Sequence, residues 1–76
     1  MKLTIILEPG DNEMWGRIDV PNAFLSTVGN NVGEVTENLK DLIQDHLENE
    51  GKEQFFWQNV KLENITFEYV YDLTEL

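Results

Sequence analysis

Cysteine is absent from this sequence, which also has a single histidine and two prolines. Without thiols the chain forms no disulfide, no thiolate metal site and no thiol redox centre, and this composition fits a reducing compartment. Long apolar runs are missing as well, because the apolar stretch at residues 3–7 is too short for a signal-peptide core and far too short to span a bilayer. We therefore expect a cytosolic protein with no membrane segment.

Basic residues are scarce, since five Lys and Arg stand against fifteen Asp and Glu and give a formal net charge of −10 at pH 7. A field of this sign repels phosphate backbones, so we expect no nucleic-acid binding by this domain alone. The charge has two explanations. It either keeps a small protein in solution or attracts a basic partner.

The length of 76 residues predicts a single domain spanning residues 1–76. A core of this size leaves only a few kcal/mol of net stability, and small domains often add a disulfide, a metal ion or self-association. Because cysteine is absent, self-association is the expected supplement. We therefore predict a homo-oligomer, either a dimer or a larger assembly.

Apolar residues with a period of two predict strands at about residues 2–8, 14–20 and 24–28. Turn-forming residues at 9–12 and Pro21 separate these strands, which indicates a three-stranded antiparallel meander. In the second strand, Trp15 falls on the face opposite Met14 and Ile18. If the face with Met14 and Ile18 packs on a helix, the helix does not bury Trp15. A second subunit would then bury it.

Helical spacing follows, with apolar residues predicting a helix over about residues 32–49 and Gly51 as its stop. Asn31 is the expected N-cap, with Glu34 in the capping-box position. Residues 52–62 have neither period and predict a short helical turn or a loop. From Ile65 the period returns to two and predicts a last strand. The fold class is therefore α+β, in the order β-β-β-α-β, with the helix packed on one face of the sheet.

The last five residues carry a second helix-start signature, because Asp72 is followed three positions later by Glu75. One interpretation is a frayed tail. The other is that this domain is the N-terminal part of a longer chain.

Residues 27–43 read TVGNNVGEVTENLKDLI, and this stretch resembles the N-terminal domain of HicB-family antitoxins, which commonly reads T-x-G-D-T-x-E-E-A-x-x-N-x-x-E-A-I. Gly33 departs from a usual Glu, and residues 21–24 lack the usual Leu-Pro-Gly. Residues 67–73 are similar to the last strand of a HicB-like subgroup that continues into a helical DNA-binding domain. The positions that carry the helix cap and family motif are Thr27, Gly29, Asn31, Glu34 and Asn38.

The resemblance implies a partial ribonuclease-H-like fold and a non-catalytic module that neutralises a small basic, mRNA-cleaving toxin of the HicA type. In such a fold we expect Gly29 to adopt positive φ at the strand exit, and Asn31 to cap the helix. The alternative is the oligomerisation or sensing domain of a HicB-like transcription regulator whose DNA-binding part is absent. A metal-dependent nuclease is a distant third.

A nuclease would need several carboxylates converging on divalent ions. The candidates near strand and helix ends are Glu8, Asp19, Glu34 and Asp72, and we predict that they are solvated surface charges. His46 flanks the apolar stripe of the helix and has no Cys, second His or nucleophile nearby, which favours a packing or rim role over a metal site. No phosphate loop, nucleophile elbow or paired-histidine motif is present. We therefore expect neither an enzyme nor a cofactor.

Three consecutive aromatic residues, Phe55, Phe56 and Trp57, cannot all point inward. At least one should expose apolar surface, and aromatic residues are common anchors of interfaces. The alternative is a lid over one end of the core. As contacts with a partner or a second copy we predict Trp15 together with Phe56 or Trp57.

Overall fold

A computed structural model describes residues 1–21 and 23–72. The described elements are β1 (Lys2–Pro9), β2 (Met14–Val20), β3 (Ala23–Gly29), α1 (Val32–Glu48), three 3₁₀ turns (Glu50–Glu53, Phe55–Trp57 and Leu62–Asn64) and β4 (Thr66–Tyr71). This confirms the α+β class and the order β-β-β-α-β. The helix-start signature at Asp72 continues into residues 73–76, which lie outside the described part of the chain.

The four strands form one sheet in the order β3-β2-β1-β4. β1 and β3 both pair antiparallel with β2, so the expected meander is confirmed. β4 runs parallel to β1, with Leu3 opposite Phe67 and Leu7 opposite Tyr71. Parallel neighbours need a long crossover connection, and α1 with the three turns provides it.

α1 packs on one face of the sheet, and this single interface forms the core. The inward residues follow a period of two along the strands and of 3.6 along the helix, which brings both sets together. The opposite face of the sheet has no second layer in the described structure. The buried apolar residues are Leu3, Ile5, Leu7, Ile18, Val35, Leu39, Ile43, Trp57 and Ile65.

Gly16 on β2 sets how closely α1 approaches the sheet. A Cβ atom at Gly16 would overlap Cγ1 of Val35, and Leu39 Cδ1 lies 3.5 Å from the same point. α1 therefore lies close over β2, and it also contacts the edge strand β3.

The helix begins as the sequence predicts, because Asn31 Oδ1 accepts a hydrogen bond of 2.9 Å from the backbone N–H of Glu34. The Glu34 carboxylate does not complete a reciprocal capping box in the described contacts. It instead lies 3.4 and 3.5 Å from Asn30 Nδ2. Gly29 corrects an expectation, since no glycine of the described residues has positive φ. A Cβ at Gly29 would lie 3.0 Å from Glu34 Cβ, so this glycine permits close approach of β3 and α1.

Candidate functional site

The candidate site is the open face, which we define as the sheet surface opposite α1. The strand register places Arg17 of β2 between Ile6 of β1 and Ser26 of β3 on this face. Several large apolar side chains also lie there and are exposed. Contiguous exposed apolar surface with polar groups around it is typical of interaction sites. The exposed fractions are Trp15 46%, Phe24 64%, Val28 36% and Val70 52%.

A shallow pocket of about 350 Å³ lies on the open face. Trp15 and Phe24 line it, and Arg17 and Ser26 sit between them in the paired strands. Trp and Arg are the residue types most enriched at the energetic centres of protein interfaces. The pocket is therefore a recess in which a partner side chain could be held between two aromatic rings.

Arg17 is the only cation of this pocket, and it is surrounded by carboxylates. Its Nη1 donates to Glu8 Oε1, its Nε lies 3.8 Å from Asp19 Oδ2, and its Nη2 lies 3.8 Å from Asp72 Oδ2. Three carboxylates against one guanidinium leave this part of the face acidic. A basic side chain of a partner would meet favourable potential here.

The same contacts show how the four carboxylates considered for a nuclease site are arranged. Glu8, Asp19 and Asp72 converge, as a metal site would need, whereas Glu34 lies apart at the start of α1. The group at the centre of the three is the Arg17 guanidinium. Within residues 1–21 and 23–72, no cluster of three or more His, Asp or Glu side chains is arranged to hold a metal ion.

Trp15 is held in place although it is exposed. Its Nε1 donates a hydrogen bond of 3.0 Å to Glu13 Oε1. Its ring lies against Gly10, where a Cβ would come within 3.1 Å of Trp15 Cδ1. The alternation in β2 predicts that Trp15 lies on the face opposite Ile18, and the burial pattern of β2 agrees with that prediction. An anchored aromatic side chain loses little conformational entropy when a partner covers it.

The aromatic run at 55–57 requires a correction. Trp57 is only 3% exposed, so it belongs to the core and is not available to a partner. Its ring meets His46 edge-on at 5.5 Å and Phe56 at 4.9 Å, and its Nε1–H has no acceptor among the described residues. Phe56 is half-buried against the core. Phe55, which the sequence analysis did not select, is 93% exposed.

His46 is a packing residue, in agreement with its expected role. It is 7% exposed, and its Nε2 lies 3.0 Å from Gln54 Oε1. Gly51 allows the chain to pass beside it, because a Cβ there would lie 2.8 Å from the His46 carbonyl oxygen. This cluster ties the end of α1 to the turns that follow it.

The family-motif residues hold β3 and α1 together and do not lie on the open face. Thr27 is half-buried opposite Gly16, on the side of the sheet that faces α1. Asn38 Nδ2 donates a hydrogen bond of 3.2 Å to the Val28 carbonyl oxygen. Phe24 is the site residue that sequence reasoning missed. Its alternation with Leu25 along β3 was the available signal, because it directs Phe24 away from the core.

Comparison of the chain with protein-family models, with curated proteins and with solved structures finds no match. Among the residues that the structure describes, no helix is both long and apolar enough to cross a bilayer.

Proposed function

We propose that this chain is a non-catalytic protein-binding module whose open face binds a small basic protein. The observation that carries the proposal is the combination of exposed aromatic side chains and a cluster of carboxylates on one sheet face. Trp15 and Phe24 supply apolar contact area, while Glu8 and Asp19 supply negative charge beside Arg17. Interfaces commonly combine an aromatic centre with complementary charge at its rim.

The antitoxin type is the most specific form of this proposal, and it rests on the resemblance at residues 27–43. In that form the chain has the partial ribonuclease-H-like fold of HicB domains. It acts in the cytoplasm and neutralises a HicA-like, mRNA-cleaving toxin by covering its basic surface. The net charge of −10 supports a basic partner, because opposite charge accelerates association and disfavours wrong partners.

The second candidate is the oligomerisation or sensing domain of a HicB-like transcription regulator. It is favoured by the two edge strands of the sheet, β3 and β4, which offer backbone groups to another copy. We do not propose the metal-dependent nuclease. A divalent ion between Glu8, Asp19 and Asp72 would meet the charge of Arg17 at close range, and like charges disfavour each other there.

The test is co-expression with any small basic protein whose gene adjoins the gene for this chain. We expect the pair to co-purify, and we expect the chain to relieve growth arrest and mRNA cleavage caused by that protein. Trp15→Ala and Phe24→Ala should each weaken the relief. Phe55→Ala is the matched control, because it removes an exposed aromatic ring that is not on the open face. Relief that is equally strong in all three variants would contradict the proposed site.

A further inference from the structure

We propose that two copies of this chain form a two-fold dimer by antiparallel pairing of their β3 strands. The contact is the outer edge of β3, which no other strand of the described residues covers. Pairing would join two sheets into one continuous sheet of eight strands. This inference does not depend on the basic partner, although Phe24 and Val28 of the open face border the proposed contact.

The distribution of charge points to β3. No charged residue occurs between Asp19 and Glu34, although the chain has a net charge of −10. Natural edge strands usually carry charged side chains or proline that prevent pairing with another sheet. β3 carries neither. It is therefore the edge along which a second acidic copy meets no charged side chain of the strand itself.

The backbone of β3 has groups available for such pairing. Along an antiparallel strand, successive residues alternately direct their N–H and C=O groups toward the paired strand and away from it. Asn38 Nδ2 donates to the Val28 carbonyl from outside the sheet, so the backbone groups of Val28 point away from β2. We call the residues of β3 with this orientation the outward set. By alternation Phe24 and Ser26 belong to the same set. Their backbone groups therefore point toward an incoming strand, although the Val28 carbonyl already accepts from Asn38 and has one lone pair left.

The outward set is self-complementary about Ser26. If the two-fold axis passes beside Ser26, then Ser26 pairs with Ser26 of the second copy, and Phe24 pairs with Val28 of the second copy. Both Phe24 and Val28 are exposed on the open face. Cross-strand pairs of an aromatic with a β-branched residue are favourable, and the symmetry forms this pair twice.

The other surfaces suit a second copy less well. Stacking two open faces would bring Glu8 and Asp19 of both copies together. Pairing through β4 would bring a charged residue of each copy, Glu68 with its ion-pair partner Lys2, to the joint. The dimer would leave both open faces on the same side, where two basic partners could bind.

Two substitutions at Ser26 test the pairing. Ser26→Pro removes an outward N–H and leaves the hydrogen bonds between β2 and β3 intact, because proline is tolerated at the outer side of an edge strand. Ser26→Lys makes the net charge less negative, so on charge alone it should strengthen association. At the two-fold axis it instead places two ammonium groups opposite each other, and like charges in that position disfavour pairing.

Thr66→Lys is the matched control, because it makes the same charge change at an exposed position of β4, the other edge strand. In sedimentation equilibrium we expect the unchanged chain to form a dimer that strengthens with salt as repulsion is screened. We expect the association constant of each Ser26 variant to be lower than that of the unchanged chain by a factor of about ten or more. Thr66→Lys should associate at least as well as the unchanged chain. Circular dichroism establishes that each variant is folded.

Amide hydrogen exchange of the unchanged chain gives an independent readout that requires no variant. Raising the concentration should slow exchange at Phe24, Ser26 and Val28, and it should leave exchange in β4 unchanged. A single 8.9 kDa species at every concentration and salt would overturn the proposal. So would a dimer whose association constant is the same in the unchanged chain and both folded Ser26 variants, or a dimer that protects β4.

Discussion

Arg17 organises the charge of the open face. It lies between three carboxylates, and its side chain is 27% exposed. Each ion pair at such a site contributes on the order of 0–1 kcal/mol, so the cluster does little for stability. In the proposed function the cluster acts on recognition, because its three carboxylates place negative potential beside Trp15 and Phe24. An incoming cation would pair with Glu8 or Asp19 at the rim of the pocket.

Asn31 gives a prediction about a single residue. Because its Oδ1 satisfies the backbone N–H of Glu34, Asn31→Ala should lower the free energy of unfolding by about 1 kcal/mol. Asn30→Ala is the matched control, since Asn30 makes only side-chain contacts of 3.4 and 3.5 Å with Glu34. Denaturant midpoints measure both. Equal midpoints for the two variants would show that Asn31 does not cap α1.

The segment between α1 and β4 acts as a lid, defined here as the 3₁₀ turns Glu50–Glu53 and Phe55–Trp57. It is tied to the core through Trp57 and through the contact of Gln54 with His46. From the sequence, the aromatic residues 55–57 could form either a lid over the core or a partner site. The burial of Trp57 supports the lid for this side chain, while Phe55 remains exposed.

Two neighbouring substitutions distinguish these roles. Trp57→Ala should lower the free energy of unfolding by about 3–5 kcal/mol, because it opens a large cavity in a small core. Phe55→Ala should change it by about 0.5 kcal/mol or less, because Phe55 is an exposed side chain. Chemical denaturation of both variants measures the difference. Similar losses would contradict the assignment of Trp57 to the core.

The strands and α1 were predictable because their signals are local. A period of two specifies which residues of β1 and β2 face the core, and Asn31 is a local N-cap signal that marks the start of α1. The orientation of residues 55–57 was not predictable in this way. Consecutive side chains of a 3₁₀ turn project about 120° apart, so three aromatic residues point in three directions. Which of them faces the core depends on where the turn packs, and that is a property of the tertiary structure.

The candidate site was only partly predictable, because local signals place single residues on a face but do not show which strands pair. The alternation in β2 placed Trp15 on the open face, but the pocket requires two strands in register. Phe24 and Arg17 come together only through the pairing of β2 with β3, in which Asp19 faces Phe24 and Arg17 faces Ser26. The convergence of Asp72 with Glu8 likewise depends on the parallel placement of β4 beside β1.

At the scale of the whole molecule, the net charge of −10 gives a prediction about nucleic acids. The field opposes contact with phosphates, and each phosphate contact needs a cation that this chain has in short supply. In fluorescence anisotropy titrations at physiological salt, we expect no measurable binding of DNA or RNA by this chain. Binding in the micromolar range would contradict the assignment of a basic protein as partner.

The central claim is that the open face receives a basic protein. The two tryptophans provide its most direct test, because Trp15 is exposed on that face and Trp57 is buried in the core. Their indole N–H signals should be separate in a ¹⁵N-correlated NMR spectrum. Upon titration with a small basic protein whose gene adjoins that of this chain, we predict that the Trp15 signal shifts or broadens while the Trp57 signal stays in place. Binding that leaves the Trp15 signal unchanged would contradict the account.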